Sequence, residues 1–280
     1  MKKILAEELD LMPSLKLAVI GHVEWVTFLD VDNIPKPGII SHANRQLEEP
    51  AGGGALVAVK MASIKKNEVH FFTSLGKDNL GEKSFARLNE LGVKLNVAWR
   101  DLPTRKGISL VDSHGDRAIT VIGERLEPKG SDSLPWNTLK TFDAVFITAG
   151  DSKAITYARE AKKVLATPRV DPQEFIASGI EIDALIGSGL DPYEIKRFDQ
   201  FLPKPKIVIK TEGKKGGEII PGGRFNSVKL NVPIKDSYGC GDCFAAGVTT
   251  GYAANWSLNR SIHLGTEWGA INSTFFGPYK

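Results

Sequence analysis

The chain has 280 residues and a mass of 30.5 kDa, with 42% hydrophobic and 25% charged residues, the balance of an ordinary globular protein long enough to bury a sizeable core without disulfide or metal staples. Thirty-six Lys and Arg against 33 Asp and Glu leave a net charge of +3 without long runs of one sign, which speaks against a dedicated nucleic-acid binder. No apolar stretch of about 18 residues is present to span a membrane, Glu7, Glu8 and Asp10 fall where a secretion signal needs an apolar core, and Cys240 and Cys243 are too few for a disulfide framework. The composition predicts a soluble, cytoplasmic protein with neither nucleic acid nor membrane as partner.

Leu15–Gly21 is a short apolar run ending in glycine, the pattern of a buried strand leading into a functional loop. His22–Leu29 alternates weakly, Ile34–Gly38 is a turn, and Ile39–Glu49 is a polar strand-like segment. Gly52-Gly53-Gly54 opens a buried apolar helix over Ala55–Ile64. Val69–Ser74 is a strand. Asp78–Leu91 is an amphipathic helix with Leu80, Phe85, Leu88 and Leu91 on one side and Gly92 as cap. Lys106–Asp112 and Arg117–Ile122 form a hairpin around Ser113–Asp116. The second half alternates strand and helix: Asp143–Thr148, Ser152–Val164, Val164–Thr167, Asp183–Ile186, Pro192–Phe201 and Lys206–Lys210. Such alternation implies a parallel sheet covered on both faces. Gly217–Ile220 and Phe225–Val232 read as short antiparallel strands, followed by helices over Gly241–Ala254 and Ser257–Thr274. No linker divides the chain, so residues 1–280 form one domain in which the strands within about 22–49 and 106–122 build a small inserted sheet.

The segment with most chemistry is Asp236-Ser237-Tyr238-Gly239-Cys240-Gly241-Asp242-Cys243. Two glycines let a loop approach a ligand, and the helix behind them presents free N–H groups suited to phosphate. Asp242, in the first turn, fits two readings equally: a helix cap, or a carboxylate that takes the proton of a hydroxyl attacking phosphate.

This segment resembles the Asp-Thr-x-Gly-Ala-Gly-Asp signature of the PfkB (ribokinase-like) carbohydrate kinases, with Ser237 and Cys240 as mild changes. The resemblance covers most of the chain. Ala51–Ala55 looks like the family's N-terminal glycine motif, Gly76-Lys77-Asp78 with Gly81 like its Gly-x-Asp-x-x-Gly step, Thr104-Arg105 with Gly115-Asp116-Arg117 like its lid-proximal segment, and Thr211–Gly216 like its Thr-x-Gly-x-x-Gly nucleotide loop. It implies a ribokinase-like three-layer α/β/α fold with a mostly parallel central sheet and a small β-sheet lid. It also implies transfer of the ATP γ-phosphate to a hydroxyl of a sugar, polyol or nucleoside, with Mg²⁺ and in some members a monovalent cation such as K⁺. Carried over, Asp242 is the base and the N–H groups of Gly239, Cys240 and Gly241 the anion hole. Thr211, Glu212, Gly213 and Gly216 lie beside the nucleotide, and Asp236 near a metal or monovalent-cation site. Gly52, Gly53 and Gly54, with Glu24 and Arg105, face the substrate; the metal ligands stay unassigned.

Departures narrow the expectation. Val26, Leu56 and Gly53 stand where ribokinases carry Asp, Asn and Lys, so hydrogen-bond partners for ribose are missing and ribose is not the expected preferred substrate. The family's Asn-x-x-Glu would fall on Gly187 and Leu190, with Asp191 one position beyond. Cys240-Gly241-Asp242-Cys243 is formally C-x-x-C, yet a structural zinc needs about four ligands and no second pair exists. His22 and Trp25 are either substrate contacts or lid packing, Arg105 a substrate contact or a solvated charge, and Lys214-Lys215 a solvated turn. Two rival functions remain: a sugar-phosphate kinase of the phosphofructokinase branch, for which Arg45 and Arg105 are the available lid cations, and a catalytically silent nucleotide or metabolite sensor. Apolar residues on the small sheet, Val23, Trp25, Phe28, Ile108 and Leu110, point to a two-fold homodimer burying that sheet.

Overall fold

Leu17–Ile20 are inaccessible to solvent, and their side chains divide strictly between two cores, which sets the architecture of the whole molecule. The computed structural model describes residues 2–280, with side chains from Glu7 onward. In β1 (Lys16–Ile20), Leu17 and Val19 face one hydrophobic cluster and Ala18 and Ile20 the other, as the two-residue period of a strand buried on both faces requires. β1 pairs in parallel with β4 (Glu68–Gly76) on one side and β8 (Ala144–Ile147) on the other, with Leu17 opposite Val69 and Ala144. The sheet continues through β5 (Lys94–Arg100) beyond β4, and through β9 (Val164–Ala166), β10 (Ala184–Ser188) and β11 (Val208–Thr211) beyond β8. All these pairings are parallel; β12 (Gly217–Ile220) and β13 (Gly223–Phe225) close one edge antiparallel.

One face is covered by α2 (Gly53–Ala62), α7 (Cys240–Ala253) and α8 (Leu258–Asn272), with Leu88 of α3 (Asn79–Glu90) in the same core. The other is covered by α4 (Ser152–Ala158), α5 (Pro172–Ser178) and 3-10 turns at Trp136–Thr141 and Phe198–Gln200, with Trp136 stacked between Phe72 and Tyr157. This is the expected three-layer α/β/α arrangement. α1 (Lys2–Leu11) precedes β1, and α6 (Pro192–Ile195) follows β10. No helix among the described residues is long and apolar enough to cross a membrane.

A second sheet, in the order β3 (Arg45–Ala51), β2 (Glu24–Asp30), β6 (Lys106–Val111), β7 (Arg117–Ile122), is the expected small lid sheet. Val26, Phe28 and Ala51 join it to Leu56 of α2 and to Tyr238 in one buried cluster. Its hairpin tip is fastened to the segment before α7: Ser237 N–H donates to Gly115 O at 3.1 Å, and Arg117 Nη1 donates to Ser237 O and Oγ at 2.6 and 2.7 Å.

Several boundaries differ from the sequence expectation. The helix expected over Ser152–Val164 ends at Ala158, because Val164 already belongs to β9 and the chain must turn between them. Pro192–Phe201 divides into α6 and a 3-10 turn; Phe225–Val232 pairs only through Phe225, and Ile39–Glu49 only from Arg45. The amphipathic face of α3 buries Gly81, Ser84 and Leu88, whereas Phe85 is exposed and leans on Trp99. β5 and α5 are not foreseen: β5 is an edge strand of mixed polarity, and α5 is short, although Asp171 capping it before Pro172 is a legible start signal.

Candidate active site

Gly239, the N-cap of α7, lies in the left-handed region with φ 72°, where a Cβ would also sit 2.6 Å from Leu56 Cδ2; both constraints require glycine. A Cβ on Gly241 would meet nothing within 4 Å, so this turn is open to a ligand. The first N–H groups of the helix have no intrahelical acceptor, and that of Cys240 makes only a long 3.5 Å contact with Ser237 O. Asp242 does not cap the helix: the cap position is Gly239 and has no side-chain bond. The Asp242 carboxylate faces the start of α2 instead, 2.9 Å from where a Gly53 Cβ would be, with the Thr148 methyl on the same side. Two helix N-termini thus converge on one carboxylate.

The three glycines opening α2 divide their work. Gly52, at φ 89°, leaves room for His22 and Glu24, whose atoms a Cβ would approach to 3.2 and 3.4 Å. Its N–H donates to Tyr238 Oη at 3.2 Å. Gly53 faces Asp242. On Gly54 a Cβ would strike His22 O and Phe71, so its packing requires glycine. Beside them Glu24 is buried, 3.6 Å from His22 Nε2 and 3.3 Å from Arg105 Nε. Burial alone would raise Glu24, but the His22 contact and the Arg105 and Arg125 charges outweigh it and hold the carboxyl below its ordinary range. Arg105 is therefore no solvated loop charge. His22 Nδ1 and Arg105 Nε, beside Glu24, are buried without a hydrogen-bonding partner, a pair that suits a polyhydroxylated ligand, whereas the unpartnered Thr148 Oγ1 is turned toward Gly21. Val26 and Leu56, by contrast, lie in the buried apolar cluster and offer it nothing.

On the far side, Thr211 ends β11 with its Oγ1 donating to Gly187 O at 3.3 Å. Gly213 (φ 58°) and Gly216 (φ 84°) shape the turn into β12, and the Glu212 side chain is drawn outward to Arg224. Asp236 is fully buried, and its two oxygens accept the N–H groups of Tyr238 (2.8 Å) and Gly277 (3.0 Å). It fixes the glycine loop to the C-terminal segment.

Between the two halves lie Ser188, Arg169 and Glu194, which no motif pointed to, together with Asp191, which stood one position out of frame in the sequence. Ser188 Oγ accepts the N–H groups of Leu190 and Asp191, both at 3.1 Å, and Asp191 caps α6. Hence the frame at this turn is Ser188-x-x-Asp191, one residue on from Gly187-x-x-Leu190. Arg169 donates to Asp191 Oδ2, and its Nε is 2.8 Å from Glu194 Oε1. Burial raises Asp242, and the opposing charges (Arg169 and Arg117 against Glu194 and Glu24) leave it at about 6. Among the described residues no three His, Cys, Asp or Glu side chains converge to hold a metal, and Asp191 and Glu194 are both engaged by Arg169. An Mg²⁺ ion travelling on nucleotide phosphates keeps most of its waters and needs few protein ligands. Burial pushes the Cys240 thiol up to about 11 and Cys243 higher still, which makes both poor thiolates.

Residues 14–171 and 175–279 match the family model described as pfkB family carbohydrate kinase. An ATP-dependent ribose-1-phosphate kinase of Halopiger xanaduensis is 24% identical over 272 residues, covering 90% of each chain. A fructokinase of Klebsiella pneumoniae is 26% identical over 284 residues, covering 84% of this chain and 91% of its own. The ribokinase of Giardia lamblia superposes with a TM-score of 0.78 over 95% of both chains at 18% identity.

Proposed function

This chain belongs to the pfkB family of carbohydrate kinases, and from that premise we propose that it transfers the γ-phosphoryl group of ATP to a hydroxyl of a small sugar, polyol or nucleoside, with Asp242 as the base. The observation that carries this reading is the position of the Asp242 carboxylate between the open first turn of α7 and the Glu24–His22–Arg105 cluster. The acceptor is held by Glu24 and Arg105, its hydroxyl directed at Asp242. A carboxyl that titrates near 6 is ionised at neutral pH, yet basic enough to take the hydroxyl proton as the oxygen attacks the γ-phosphorus. The bond from that phosphorus to the bridging oxygen breaks and ADP departs. N–H groups of Gly239, Cys240 and Gly241 stabilise the charge on the transferring group, and positioning supplies most of the remainder. Thr211, Gly213 and Gly216 border the nucleotide. The chain works as one kinase domain, with the small sheet as lid over the acceptor.

A second reading, a phosphorylated sugar as acceptor, is favoured by one observation. Arg125, although paired with Glu127, adds its charge to that of Arg105 at Glu24. Arg45, the other cation nominated from sequence, is spent on Asp30 and the Phe276 ring. ADP release from ATP over a panel of free and phosphorylated sugars, polyols and nucleosides tests both. Turnover with at least one acceptor is expected. Ribose at the head of the kcat/KM ranking would overturn the argument from Val26 and Leu56, and no turnover at all would leave a sensor.

A further inference from the structure

Arg169 follows β9, and the order of strands gives that place meaning. β8, next to β9 on one side, is followed by Thr148 beside Asp242; β10 and then β11, with the Thr211 loop, lie on the other. Ligands of open α/β sheets bind across the carboxyl ends of the strands. A nucleotide seated at the Thr211 loop, with its terminal phosphate at Asp242, must therefore cross the end of β9, where Arg169 stands half exposed.

The side chain is held from several directions. Nε faces Glu194 at 2.8 Å and Nη2 donates to Asp191. Glu194 is itself fixed, buried and accepting the Ser188 N–H at 2.7 Å. The backbone carrying Arg169 is held by two more arginines: Arg197 Nη1 donates to Pro168 O (3.2 Å) and Val170 O (3.1 Å), and Arg125 Nη1 reaches Arg169 O at 3.5 Å. Two carboxylates so close to a polyphosphate would repel it. Paired, they fix the plane of the guanidinium and leave its other N–H groups for a phosphate, the planar recognition that lysine cannot reproduce.

Resting on the nucleotide reading above, we infer that Arg169 contacts the terminal phosphates of ATP, aimed by Asp191 and Glu194. Calorimetric titration of the intact chain and of Arg169→Ala with ATP and with AMP tests it, because AMP ends before the crossing. The expected result is a loss of ATP affinity of about tenfold to a hundredfold with AMP affinity unchanged. An unchanged ratio of ATP to AMP affinity overturns the inference. If Arg169→Ala no longer binds AMP because it misfolds, Arg169→Lys decides: it keeps the charge and loses the fork, so a reduced ratio supports the inference and an unchanged one overturns it. Wild-type protein that transfers phosphate to no alcohol, yet loses its ATP preference on Arg169→Ala, would sink the kinase reading and leave this one standing.

Discussion

The proposed base Asp242 is a single buried carboxyl, and its environment has two measurable consequences. Asp242→Asn is expected to lower kcat by ~10²–10⁴-fold with ATP binding retained; a variant keeping more than about a tenth of kcat would remove the base assignment. The second consequence is in stability. Because burial raises the carboxyl to about 6 in the folded chain, the fold favours the protonated form. The associated stability is present below the ordinary carboxyl range and is lost as pH rises through about 6. Asp242→Asn escapes that loss, so its unfolding free energy relative to wild type should grow between pH 4 and pH 7.5 by on the order of 2 kcal/mol. Denaturant titrations at the two pH values measure it, and a difference independent of pH would mean that Asp242 is not buried against its charge. Turnover by the wild type should fall on acidification through the same range.

At the scale of elements, the two glycines before Asp242 are not equivalent. Gly241 has a helical backbone and open space, so Gly241→Ala should fold as well as wild type or better by ~0.5–1 kcal/mol while turnover falls, since its methyl group occupies the ligand's side. Gly239→Val, strained at φ 72° and pressed on Leu56, should lose both stability and activity. A Gly241→Ala variant with undiminished kcat would show that the turn does not approach the phosphate. α3 offers a different test. Asp78 caps it through Gly81 N–H (2.7 Å) and also accepts the N–H and hydroxyl of Thr104, the residue before Arg105. Asp78→Ala should cost about 1–3 kcal/mol and raise the acceptor KM by loosening Arg105. Thermal unfolding together with KM checks this, and a KM unchanged despite lost stability would confine Asp78 to capping.

For the whole molecule, the open question of assembly turns on the lid sheet. Val23 and Phe28, expected on its apolar surface, are buried within the chain, whereas edge strand β7 exposes Ile119, Val121 and Ile122, with Ile108 beside them on β6. An edge strand with apolar residues on both faces is poorly protected against pairing. The expected outcome of light scattering at micromolar concentration is a mass twice the 30.5 kDa of one chain; a mass of one chain would leave the lid serving its own site alone.

The sequence by itself determined the elements whose pattern is local. Buried strands are continuous apolar runs, Asp78 and Ser257 announce their helices, and Gly239-Cys240-Gly241-Asp242 announces a glycine turn into a helix because glycine spacing at a helix start is a property of adjacent residues. Only the tertiary structure decided what comes from distant residues meeting. Whether Asp242 caps its own helix or faces α2 depends on Gly53, nearly 200 positions away, and the environment of Arg105 depends on Glu24. Arg169, Asp191 and Glu194 carry no shared motif and become a cluster only because the carboxyl ends of β9 and β10 lie side by side. A charge in a loop has no environment until the sheet gives it one, and that environment sets both its pKa and its partners.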